Sequence, residues 1–135
     1  MAIQQLTAFV ENRRGRLVEV TRLLSDAGVD LRALSIADTQ EFGILRGIVD
    51  KTDEALSALQ KEGILVQLTP VVGVRLSDRP GELSRALGVL DDAGINVEYV
   101  YAFLAVTPGV ADVVLRVQDN AAAENALTAA GFEIM

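Results

Sequence analysis

Two stretches of this 135-residue chain have residue types and spacing suited to chemistry: Asn12-Arg13-Arg14-Gly15-Arg16-Leu17 and, 66 residues later, Asp78-Arg79-Pro80-Gly81-Glu82-Leu83. Each places a glycine where an apolar helical stretch opens. The first N–H groups of a helix have no partner inside it, so such a turn can hold an anion. Two such cradles point to the binding of a small acid, whose carboxylate needs N–H donors. The backbone around Arg14–Leu17 and Gly81–Leu83 offers the donors, aided by the helix dipole. Asn12 and Asp78 offer side-chain oxygens, and Gly15 and Gly81 have no Cβ to block close approach. A plainer alternative stays open, in which both glycine turns merely start helices and Asn12 and Asp78 cap them.

The elements that position these loops repeat as well. Asp26-Ala27-Gly28-Val29-Asp30-Leu31 returns as Asp92-Ala93-Gly94-Ile95-Asn96-Val97, so the chain is a tandem of two halves of about 67 residues. Units that small bury only modest cores, and completion by a neighbour is expected. Residues 3–10 are predicted as a strand. Leu17, Val20, Leu23, Leu24 and Ala27 then recur at helical spacing up to Gly28, a C′ glycine. Strands at 29–37 and 43–50 with Thr39-Gln40-Glu41 as their turn, a helix at 53–62 ended by Gly63, and a strand at 64–68 complete the half. The second half gives strand 71–76, helix 81–93, strands 95–106 and 110–118, helix 121–130 and strand 132–135, with Thr69-Pro70 as the linker. The repeat offset grows from 66 to 68 between the two helices, which places a two-residue insertion in the middle hairpin at Thr107-Pro108-Gly109.

The order β-α-β-β-α-β is that of the split βαβ, ferredoxin-like motif, an α+β fold with antiparallel sheets and both helices on one face. By the period-2 rule Val97, Tyr99, Tyr101 and Phe103 share one side of their strand, and Val100, Ala102 and Leu104 the other. Both faces are apolar, and a face left bare by the helices needs a partner.

Asp78-Arg79-Pro80-Gly81-Glu82-Leu83 between a first strand and a first helix, with Ala93-Gly94-Ile95-Asn96-Val97 opening the second strand, resembles the ACT domain. Ala33-Leu34-Ser35-Ile36-Ala37-Asp38 and Gly43-Ile44-Leu45-Arg46 are similar to the first domain of stand-alone tandem ACT proteins. The resemblance implies two ACT domains, 1–68 and 69–135, and a regulatory module that binds a free amino acid where they meet. It further implies that the loop of one domain works with the start of the second strand of its neighbour, pairing Asn12 with Asn96 and Asp78 with Asp30. The implied ligand set is therefore Asn12, Arg14, Gly15, Arg16, Leu17, Asp30, Asp78, Pro80, Gly81, Glu82, Leu83 and Asn96. Arg14 departs from the family, which places proline there as at Pro80; that loop loses a rigid start, and Arg14 is available to pair with a carboxylate.

Composition narrows the alternatives. The chain has no Cys and no His, so thiolate metal sites, Cys nucleophiles and the commonest general base are absent. Net charge is −7; residues 1–67 hold eight cations against ten anions, and residues 68–135 four against nine. Neither half has the basic face that a nucleic-acid backbone requires, and strands 71–76 and 110–118 lack the aromatics of an RNA-binding sheet. No pair of carboxylates stands out for acid–base work, and no apolar run reaches membrane-spanning length. The sequence thus leads to a non-enzymatic, cytoplasmic, soluble amino-acid sensor without cofactor or metal, associating as a homodimer, with no nucleic-acid or membrane partner. The alternative is a regulatory subunit that docks on a metabolic enzyme without binding a ligand itself.

Overall fold

The structure is a computed structural model that describes residues 3–38 and 41–135. The expected turn at Thr39-Gln40-Glu41 lies in part outside the described residues. The chain divides into two compact units, Gln4–Thr69 and Pro70–Met135, with Ile3 joining the second.

The first unit comprises β1 (Ile3–Glu11) from Gln4 onward, α1 (Arg16–Asp26), β2 (Leu31–Asp38), β3 (Phe42–Val49), α2 (Thr52–Lys61) and the opening residues of β4 (Leu65–Ser77), with strand order β2-β3-β1-β4. The second comprises the rest of β4, α3 (Glu82–Asp92), β5 (Val97–Ala102), β6 (Val110–Val117), α4 (Asn120–Ala129) and β7 (Glu133–Ile134), in the order β5-β6-β4-β7. Each is a ferredoxin-like βαββαβ fold whose strands run antiparallel. Alternation along the strands selects the core. Leu6, Ala8, Val10, Leu45 and Val49 meet Val20, Leu24, Ala55 and Leu59 of the helices, and Val72, Val74, Leu76, Val113, Leu115 and Val117 meet Ala86, Leu90, Ala123 and Leu127. Both helices of each unit therefore cover one sheet face.

Every helix ends as its glycine demands. Gly28, Gly63, Gly94 and Gly131 have φ of 73°, 74°, 74° and 91°. In α1, Gly28 N–H donates to Ser25 O and Val29 N–H to Leu24 O, the paired bonds of a Schellman motif, and the other three helices repeat it.

Four expectations are corrected. The strands at 64–68 and 71–76 are one strand, β4, which runs unbroken through Thr69-Pro70. Proline's φ suits extended backbone, and its missing N–H matters only where a ladder bond is needed; the β4–β6 register begins beyond it, at Val72. The strand expected over 95–106 ends at Ala102, although Phe103 N–H still donates to Asp112 O at 3.0 Å. Val97 does not share the side of Tyr99 and Tyr101. A bulge between Val97 and Tyr99 breaks the alternation, and Val97 packs on the helix-side core; the same irregularity occurs between Leu31 and Ala33 in the first unit. Nor is the opposite face bare at Tyr101, which is 9% exposed and stacks on Tyr99 with ring centroids 6.3 Å apart.

The inserted residues lie in the β5–β6 hairpin. Ala37 pairs with Ile44 in the first unit, and their counterparts 66 and 68 residues on, Phe103 and Asp112, face each other in the second. Two residues are therefore added between them.

Candidate functional site

Both glycine loops are built to the same plan. Gly15 and Gly81 are the N-cap residues of α1 and α3, with φ/ψ of 86°/−11° and 90°/−11°, the left-handed region that favours glycine. Asn12 and Asp78, three residues earlier, are thus not the N-caps. The N–H of the first loop residue is held by the middle hairpin in each unit, Asn12 by Glu41 O at 2.9 Å and Asp78 by Gly109 O at 3.1 Å. Arg16 N–H turns back to Arg13 O, and Glu82 N–H to Arg79 O. The N–H groups of Gly15, Leu17 and Val18, and of Gly81, Leu83 and Ser84, have no acceptor among the described residues. A Cβ at either glycine would meet nothing within 4 Å. Leu17, expected in the apolar stripe of the first helix, is 43% exposed, and Leu83 at the same place in the second loop is 39% exposed.

The side chains differ between the loops. In the first, Arg13 pairs with Glu11 and Arg16 with Glu19, both at 3.0 Å. In the second, Glu82 is only 6% exposed and is clasped by Arg79 and Arg85, each at 3.3 Å, with the Arg85 guanidinium lying 4.0 Å above the Phe132 ring. The Glu82 carboxylate is therefore held by the protein's own arginines. The i, i+3 spacing of Glu82 and Arg85 was the readable signal for this clasp. The hydrogen bond from Arg85 is the main cause that holds the Glu82 carboxyl below its ordinary range, and the Arg85 and Arg79 charges add to it against the cost of burial.

A carboxyl whose folded pKa is depressed contributes stability above its unfolded pKa and loses it as pH falls through the folded one. Acid titration of the second unit should show that loss below about pH 4, the ordinary glutamate range. Glu82→Gln should flatten the acid limb. An identical acid limb in that variant, followed by circular dichroism, would remove Glu82 from the account.

The remaining candidates stand elsewhere in their units. Asp30 and Asn96 follow the C-terminal ends of α1 and α3, so an 11-residue helix, about 16 Å long, separates each from the glycine loop of its own unit. Asp30 is tied down: its N–H donates to Asp50 Oδ1 at 2.9 Å, and its carboxylate pairs with Arg32 at 3.3 Å. Asn96 is exposed and lies between two hollows of about 400 and 480 Å³, the first bounded by Leu87 and Asp91, the second by Glu98 and Gln118. Asp78 borders a hollow of about 200 Å³ with Phe103, Val106 and Asp112. Arg14 and Pro80 are exposed one residue before their glycines. Each unit therefore gathers its own loop but not its own strand start.

A family model described as an ACT domain pair matches residues 1–131. The solved protein BT0572 from Bacteroides thetaiotaomicron is 38% identical, with a TM-score of 0.93 over 100% of this chain and 92% of that one. The regulatory subunit of aspartate kinase from Thermus thermophilus, solved ligand-free, is 18% identical with a TM-score of 0.71 over 95% of this chain and 92% of that one. Aspartate kinase from Synechocystis is 20% identical with a TM-score of 0.64 over 96% of this chain and 26% of that one. No curated protein matches. No helix among the described residues is long and apolar enough to cross a membrane.

Proposed function

Since the chain belongs to the ACT domain family as an ACT domain pair, we propose that it is a non-enzymatic cytoplasmic sensor binding a free amino acid where its domains meet. The observation that carries this is the pair of matching loops, each with a left-handed glycine and first-turn N–H groups that lack an acceptor among the described residues. An amino acid's carboxylate suits those donors, and its ammonium suits Asn12 or Asp78.

The strand starts are out of reach of their own loops, which favours pairing across domains, Asn12 with Asn96 and Asp78 with Asp30. On this reading Arg14, Gly15, Arg16 and Leu17 form the first pocket with those amides. Pro80, Gly81, Leu83 and the backbone of Glu82 form the second, where acidic Asp78 disfavours a ligand carboxylate. The first pocket is the tighter one, and the protein works as a homodimer without a cofactor.

Purified protein incubated with a mixture of labelled amino acids and passed over a desalting column should retain one of them. Retention of none would refute the sensor. A second reading, a regulatory subunit docking on a metabolic enzyme, is favoured by the β5–β6 tip, where Leu104 and Val106 are 55% and 92% exposed.

A further inference from the structure

We infer that the sheet face turned away from the helices in the first unit docks a second copy of this chain; this rests on the homodimer proposed above and names its contact. The two repeats differ there in one row of residues. In the second unit the row is Arg75, Asp112 and Glu133, with Asp112 accepting from the Arg75 guanidinium at 2.8 and 3.0 Å and Glu133 3.5 Å from it. The first unit has Phe9 in place of Arg75, 66 residues earlier, and Ile44 and Leu65 in place of Asp112 and Glu133, 68 residues earlier. Phe9 and Ile44 are cross-strand partners, as Arg75 and Asp112 are, and β4, which carries Leu65, lies on the other side of β1. Their chain neighbours Ala8, Val10, Leu45 and Val66 belong to the helix-side core, so alternation puts all three on the opposite face.

Phe9 is 37% exposed and Leu65 69%, and Phe42, two residues before Ile44 on the same side of β3, is 53% exposed. Where the second unit presents an ion triad to water, the first presents adjoining apolar side chains. Apolar residues scattered singly on a surface are ordinary, but a contiguous exposed patch marks a contact.

The charges around the row select a second copy as the occupant. A two-fold axis sets a face against itself, so the face must complement itself. The row holds no charge, and charges of opposite sign flank it on the same face. Glu11 is the cross-strand partner of Phe42 at one end, and Arg46 that of Thr7 at the other. A copy stacked face to face, with its strands reversed about the row, lays apolar side chains on apolar ones and brings Glu11 to the Arg46 end of its partner. A partner with a uniformly basic or acidic face would match only one of the two ends.

Sedimentation velocity over a range of concentrations tests this. The parent should be a dimer. Leu65→Glu, at an exposed position whose counterpart is Glu133, should raise the dimer dissociation constant roughly tenfold or more, because it buries a charge in an apolar contact. Phe9→Arg combined with Ile44→Asp and Leu65→Glu rebuilds the triad of the second unit in the first, and should give a monomer with the circular dichroism of the parent. Leu104→Glu, at an exposed apolar position of the β5–β6 hairpin, should leave the dimer intact. A dimer as tight in Leu65→Glu as in the parent would overturn the inference and leave the homodimer standing on another surface. Equal weakening by Leu104→Glu would overturn it as well. A parent that stays monomeric at high concentration would refute the homodimer and this inference together.

Discussion

Leu90→Ala is expected to lower the stability of the second domain by about 2–5 kcal/mol, and Leu24→Ala to do the same in the first. The two leucines occupy the same place in the repeat, 66 residues apart, and are 0% and 1% exposed among the strand residues of their cores. Truncation removes buried apolar surface and leaves a cavity that neighbours fill only in part. Domains of this size have little stability in reserve, so either loss is a large share of the total. Urea denaturation followed by circular dichroism measures it. A loss below about 1 kcal/mol in either variant would contradict the packing described here.

The glycine loops carry the second large effect. Gly15→Val should abolish amino-acid binding and also strain the fold by about 1–3 kcal/mol, because a β-branched residue is held at a φ of 86°. Gly15→Asn separates the two consequences, since asparagine tolerates the left-handed region. It should keep the melting temperature near that of the parent while its side chain fills the open space at the loop and weakens the ligand. Gly81→Asn should matter less if the first pocket dominates. Affinity unchanged in both Gly15 variants would show that the ligand binds elsewhere.

Much of this was legible because it is local. The glycines that end the four helices depend on φ within a few residues, and the repeated phrases placed both loops at matching points of the fold. The features that escaped the sequence depend on partners far along the chain. Nothing near Thr69-Pro70 announces that β4 continues, because whether proline is tolerated is decided by which ladder bonds β6 requires of it. The bulge between Val97 and Tyr99 is set by register against β6, and a period-2 count cannot see it. For the site, the spacing identified the loops but not their occupancy. The sequence names Glu82 for its backbone N–H, and only the fold shows its side chain between Arg79 and Arg85; Arg14 reads as a lost proline until its neighbours are seen to be paired with carboxylates.

The central claim is that these loops bind a free amino acid, and a thermal-shift screen of the twenty amino acids tests it most directly. A ligand present at 100 times its dissociation constant should stabilise the folded protein by about 2.7 kcal/mol, a rise of several degrees in melting temperature. The expected result is a shift confined to one or a few amino acids, lost in Gly15→Val and retained in Leu90→Ala. Twenty amino acids that leave the melting temperature unchanged at millimolar concentration would contradict it.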